Sequence, residues 1–186
     1  MSLSIKDKAF LAMFRFFYGT DYPALIENNT EAHVKAQKMG YLLSMANFEI
    51  GDYGYILDTF GPYSSAFQND LKNLDTLNSE VTSFYEHYDD SEIFTDESNL
   101  GGLFSVSLKD KIQKIINKLQ LRNHETDIRS WCELLGTIAF VSNSIVPGAS
   151  FTEAHQALIK IKPRFSNYAE NKTAWDSLVS ANIIAG

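Results

Sequence analysis

A mainly α-helical fold with one short β-hairpin in its first half follows from three features of this 186-residue chain. Apolar residues recur at helical spacing over most of its length. A run of β-favouring residues ends at the pair Gly61-Pro62. Between them and the second half lies a stretch, residues 81–104, with six Asp/Glu and no Lys or Arg, which reads as an exposed connector. The expected organisation is a first unit over residues 1–80, an acidic connector over 81–104, and a helical region over 105–186. The last region is expected to pack on the first, and the length is compatible with one single domain.

Each element has its own signal. "SIKDKAFLAMFRFFYG" opens with Ser4 as N-cap and Asp7 three residues on, and Phe10, Met13, Phe14 and Phe17 follow on one face. "DYPALIENN" reads as a connection. "TEAHVKAQKMGYLLSMANF" is a second helix, capped by Asn29 or Thr30, with Ala36, Met39, Leu42, Leu43 and Ala46 facing inward. Gly40 inside it costs about 1 kcal/mol relative to alanine, so a close neighbour is expected to need the room. "EIGDYGYILDTF" then suggests a hairpin or wing. Gly61 can adopt backbone angles other residues avoid. Pro62 suits the first position of a helix, so the pair reads as a strand-to-helix corner. Phe67, Leu71 and Leu74 continue at i, i+4 and i+7.

The second half is helical throughout. "SLKDKIQKIINKLQLR" has Ser107 as a cap and an apolar face of Leu108, Ile112, Ile115, Ile116 and Leu119, with Lys111, Lys114 and Lys118 opposite. "TDIRSWCELLGTIAFVSNSI" carries Ile128, Trp131, Leu135, Ile138 and Ala139. "SFTEAHQALIKIKP" has a Ser150/Glu153 capping box and stops at Pro163. "NYAENKTAWDSLVSANII" places Trp175, Leu178 and Val179 at helical spacing.

The net charge of -7 is uneven: -4 over residues 1–80, -6 over 81–104 and +3 over 105–186. A strongly basic footprint of the nucleic-acid-binding kind is absent. Cys132 alone cannot form an internal disulfide, which fits a reducing compartment. No apolar run approaches the roughly 20 residues that span a bilayer, and "MSLSIKDKAF" is too charged for a secretory signal. The expected location is the cytoplasm, without membrane association.

Familiar chemistry is missing. His33, His87, His124 and His155 stand apart from one another and from Cys132, so no metal-ligand spacing arises. Cys132, between Trp131 and two leucines, reads as a small buried hydrophobe. There is no phosphate-cradling glycine loop. "GPYSS" is no nucleophile elbow, and a serine there is expected to cap a helix. Catalytic, cofactor-binding and metal residues are therefore all expected to be none.

The segment "AHVKAQKMGYLLSMANFEIGDYGYILDTFGPYSSAFQNDLKNLD" carries Lys35, Gln37, Lys38, Tyr41 and Leu42, then Phe60, Gly61, Pro62, Tyr63 and Ser64. That pattern resembles the YwgA-like family of uncharacterised prokaryotic proteins and, more distantly, the Panacea (SocA-like) antitoxin domain. The resemblance implies a winged-helix-like N-terminal unit and supplies no catalytic residues. Two functions follow as expectations. One is a protein-interaction module of antitoxin-like or regulatory type, with Tyr53, Tyr55, Phe60 and Tyr63 as partner-binding aromatics and Gly61 and Pro62 as the structural corner. Side chains alternate along a strand, so these aromatics cannot all be covered from one side. At least one tyrosine is expected to be substantially exposed, available to another protein or to a second copy in a homo-oligomer. The other function is a winged-helix DNA-binding regulator. The helix after Gly61-Pro62 carries only Lys72 against Asp70 and Asp75, a poor face for phosphate.

Overall fold

Every residue from 131 to 139 is buried, and the helix that carries them, α7 (Ile128–Phe140), is the axis of the fold. A helix buried on all sides has to be surrounded, and its two buried polar side chains, Glu133 and Thr137, have to find partners. The structure, a computed structural model, describes residues 3–18, 21–25, 29–46, 51–87, 106–121 and 127–186. Around α7 it places α1 (Ile5–Tyr18), α2 (Tyr22–Leu25), α3 (Asn29–Met45), α4 (Ser65–Thr76), α5 (Asn78–His87), α6 (Val106–Lys118), α8 (Phe151–Ile161) and α9 (Tyr168–Ser180). Strands β1 (Ile56–Asp58) and β2 (Gly61–Tyr63) form an antiparallel hairpin between α3 and α4. The protein is mainly helical, and this hairpin is the one sheet among the described residues.

α7 packs against α3, β2, α8 and α9. Buried residues of both halves of the chain belong to one apolar cluster, from Phe10 and Phe14 through Leu71 and Ile112 to Trp131 and Leu178. α1 starts as expected: Ser4 Oγ accepts from the Asp7 N–H, and the Ser4 N–H donates to Asp7 Oδ2 at 2.8 Å. Residues 9–14 are then buried on every side, with Phe10 stacked 5.2 Å from Phe67 and Phe14 5.1 Å from Tyr22. The Phe17 side chain lies outside the described residues. α8 begins with the expected capping box, Ser150 with Glu153. α7 ends by widening into a π-helical turn over Val141–Ile145.

Several boundaries differ from expectation. "DYPALIENN" contains the short α2. α6 starts at Val106, one residue before Ser107. The acidic span 81–104 is helical at its start, because Val81, Phe84 and Tyr85 bury one face of α5; its remainder, 88–104, lies outside the described residues. The hairpin also sits later than Gly51-Asp52 suggests. Its turn is Thr59-Phe60. Among the described residues no helix is long and apolar enough to cross a membrane.

Candidate functional site

Pro62 sits inside strand β2, not at the start of a helix, and this corrects the strand-to-helix reading of Gly61-Pro62. The register explains why proline is tolerated. Pro62 lies opposite Leu57. Having no N–H, it can take only a pair that exchanges no hydrogen bonds, so its nitrogen and carbonyl face away from β1. The helix starts two residues on. Ser64 is its N-cap, in extended conformation, and its Oγ accepts from the Phe67 N–H at 3.1 Å. The same hydroxyl donates to the Tyr53 carbonyl, which ties the approach to β1 to the start of α4. Serine at this position is the cap that the sequence suggests.

Gly61 has a physical reason to be glycine on two counts. Its φ is +92°, where a side chain is strained. A Cβ would also lie 2.9 Å from Thr137 Oγ1 and 3.2 Å from Lys38 Cε. The hairpin is therefore pressed against α3 and α7, where polar groups receive it. Lys38 Nζ donates to the Pro62 carbonyl at 2.7 Å. The Gln37 side-chain amide pairs with Ser64 as a neighbouring strand would, accepting from its N–H at 2.9 Å and donating to its carbonyl at 2.9 Å. Lys162 Nζ donates to the Thr59 carbonyl at 2.7 Å and to Glu133 Oε1 at 3.1 Å. Arg164 donates to the same two acceptors.

These charges are buried. Lys38 is 2% exposed, Glu133 5% and Lys162 7%. Burial lowers the Lys38 amine to about 8, against the pull of Glu133 in the other direction. Burial also lowers Lys162, with the hydrogen bond to Glu133 opposing it. One carboxylate thus serves as counter-ion to two close cations and attracts a third. Arg129 and Arg164 flank the ring of Phe60, with guanidinium carbons 5.6 and 5.9 Å from its centroid.

Beside the hairpin lies a cleft of about 440 Å³. Gly61, Phe60 and Tyr63 form one wall, and Gln37, Lys38 and His33 of α3 lie across from it. The polar floor is cross-linked. Gln37 donates to Gln68 Oε1 at 3.3 Å, Gln68 Nε2 lies 2.9 Å from His33 Nδ1, and His33 Nε2 lies 3.6 Å from Asp75 Oδ2. Tyr22 donates to the other Asp75 oxygen at 2.8 Å. Gln68 is assigned as the donor to His33, which puts the histidine proton on Nε2, toward Asp75.

The four aromatics singled out from the sequence separate into two groups. Tyr53 and Tyr55 precede β1 and pack together with Phe67, at centroid distances of 5.0 and 6.2 Å from its ring. Tyr53 donates to Asp70 at 3.0 Å. Tyr63 is half-buried in the cleft wall. None of the three tyrosines is the exposed one expected; that position belongs to Phe60, 40% exposed at the turn, joined by Ile56 at 62%. Phe60 stands out because the two residues that follow it must lie against α3 and α7. Sequence reasoning quotes Gln37 and Lys38 only within a pattern, and gives Lys162 and Arg164 no partner. Glu133 drew no attention. Their partners lie 24 to 105 positions away in sequence, so no local spacing links them. Cys132 is fully buried, and its thiol is pushed up to about 12 by that burial, which makes it a core residue.

No family model, no curated protein and no solved structure matches the chain.

Proposed function

We propose that this chain is a protein-interaction module that works by binding rather than catalysis, and that the hairpin with its adjoining cleft is the contact surface. One observation carries the reading. Phe60 and Ile56 are exposed apolar side chains on a hairpin whose backbone is immobilised by four buried or half-buried polar residues of α3 and the C-terminal half. A surface held rigid before contact loses little entropy on binding. Phe60 beside a cleft also has the form of an anchor that seats against a partner. Gln37, Gln68, His33 and Asp75 are linked to one another along the cleft, and the exposed apolar side chains of the hairpin stand beside them. The antitoxin-like or regulatory role implied by the resemblance to the YwgA-like and Panacea domains belongs to the same proposal, as does the winged-helix-like description of the first unit.

Site-specific photocross-linking tests it. A benzophenone side chain placed at Ile56, at Phe60 or at exposed Lys172 on α9 is irradiated in the cells that make the protein. The expected result is one defined protein adduct from the two hairpin positions and none from Lys172. Equal labelling from all three positions, or none from the hairpin, would overturn the proposal.

A further inference from the structure

We infer that the outer edge of β1 receives an extended, acidic segment of a partner protein as a third strand. The inference rests on the interaction reading above and names the chemistry of the partner.

The two edges of the hairpin are unequal. The outer edge of β2 is filled: Lys38 occupies the Pro62 carbonyl, and the Gln37 amide occupies both backbone groups of Ser64. The outer edge of β1 is open. Because Leu57 faces Pro62 across a pair without hydrogen bonds, its own N–H and carbonyl point outward. No hydrogen bond among the described residues ends on either group. The apolar side chains beside this edge, Ile56 and Phe60, are exposed. An outward donor and acceptor on one residue, flanked by apolar side chains, is what strand addition uses.

The charge around the turn selects the partner. Arg129 and Arg164 flank Phe60 at the turn, Lys162 and Lys38 lie buried beneath it, and the carboxylates against them are the buried Glu133 and Asp58 of β1. The collar therefore carries an excess of two positive charges within a chain of net charge -7. It is a basic island on an acidic molecule, and it favours a segment with carboxylate side chains. The same acidic molecule disfavours a polyanion as large as a duplex.

Proline at position 57 is the decisive variant. Leu57→Pro removes the outward N–H together with the half-buried leucine side chain, and the proline would stand opposite Pro62 in a pair that exchanges no bonds, so the hairpin is expected to survive. The probes are two hexapeptides with blocked ends, acetyl-Glu-Val-Glu-Thr-Glu-Val-amide and the same sequence with lysine for glutamate. The acidic peptide is expected to bind at least about tenfold tighter than the basic one, and to slow exchange of the Leu57 amide proton. Leu57→Pro is expected to weaken it about tenfold or more, the loss of roughly one main-chain hydrogen bond. Arg129→Gln is expected to narrow the gap between the peptides. Equal binding of both peptides, unchanged Leu57 exchange, or wild-type affinity in Leu57→Pro would overturn the inference. Leu57 exchange is read on the unmodified protein, so a misfolded variant does not rescue it. A dimer in sedimentation that Leu57→Pro dissolves would make a second copy the occupant and overturn it. Tight, salt-sensitive binding of duplex DNA lost in Arg129→Gln would overturn it as well. Cross-links from Ile56 and Phe60 judge the module separately. If they persist while both peptides fail, the module stands and the acidic strand falls.

Discussion

The base of the hairpin is held by rings and its tip by charges. At the base, Tyr53 and Tyr55 pack on Phe67, which in turn meets Phe10 of α1. At the tip, the carbonyls of Thr59 and Pro62 receive Lys162, Arg164 and Lys38, all of them around Glu133. The base removes apolar surface from water, which stabilises the fold in proportion to area. The tip takes charges out of water, and their mutual attraction does little more than offset that cost. The comparison separates two jobs. The rings supply stability, and the charges supply position.

Breaking each end should show different signatures. Phe67→Ala empties a fully buried site and should lower global stability by about 3–5 kcal/mol in denaturant unfolding. Glu133→Gln leaves Lys162 and Arg164 without their counter-charge. Arg164 is half exposed and can turn to water, so the cost should be smaller, about 3 kcal/mol. Hydrogen exchange distinguishes the two. Glu133→Gln should raise exchange at Gly61 beyond the global change, whereas Phe67→Ala should raise protected amides together. Equal patterns in both variants would remove the distinction between base and tip.

The base was far more legible in the sequence than the tip. Phe10, Met13 and Phe14 announce α1 by spacing alone, and Phe67, Leu71 and Leu74 announce α4. Gly40 was readable too: a Cβ there would lie 2.5 Å from Phe67 Cε2 and from the Tyr55 oxygen, and only glycine leaves that room. Such signals are local, because a helix repeats its face every few residues. The tip is non-local. Nothing near Glu133 distinguishes it from a surface glutamate until α3, β2 and the segment after α8 converge on α7. Pro62 was misplaced for a related reason. Its helix-starting preference is real, but the register of β2 offered a position where its missing N–H costs nothing. Alternation along a strand points to Tyr53 and Tyr55 as contact residues only if the strand includes them, and both lie before β1.

The charged tip should respond to pH from about 8, below the range near 10 in which phenols ordinarily titrate. Lys38 falls from its ordinary 10.5 to about 8 in the folded protein. Between those values the unfolded chain holds the proton and the folded one does not. Unfolding then takes up a proton, so the contribution of Lys38 to stability rises as pH rises from about 8 to 10.5, and it is constant below 8. The neutral amine still donates to Pro62. The stability of wild type relative to Lys38→Met should therefore increase over that window, by at most about 3 kcal/mol for a shift of this size. Urea unfolding of both proteins at pH 7, 8, 9 and 10 measures it. A difference that stays flat, or falls with pH, would show that Lys38 is not desolvated.

The smallest expected effect lies within the base, between two tyrosines whose rings are 6.2 Å apart. Both phenols are held above their ordinary value, each chiefly by burial. Their hydroxyls differ. That of Tyr53 donates to Asp70, which also pairs with Lys6 at 2.6 Å. That of Tyr55 is buried and has no hydrogen-bond partner among the described residues. Removing a hydroxyl that bonds a carboxylate gives up a charge-assisted bond, while removing one without a partner relieves a group that burial penalises. Tyr53→Phe should cost about 1 kcal/mol, and Tyr55→Phe should be neutral or stabilising by up to about 1 kcal/mol. The rings remain in both variants, so packing on Phe67 is untouched and thermal unfolding reads the hydroxyls alone. Asp70→Asn should reduce the cost of Tyr53→Phe and leave Tyr55→Phe unchanged. If Tyr55→Phe proves the more damaging of the two, its hydroxyl is doing structural work at the base, and the division between a base held by rings and a tip held by polar groups does not hold there.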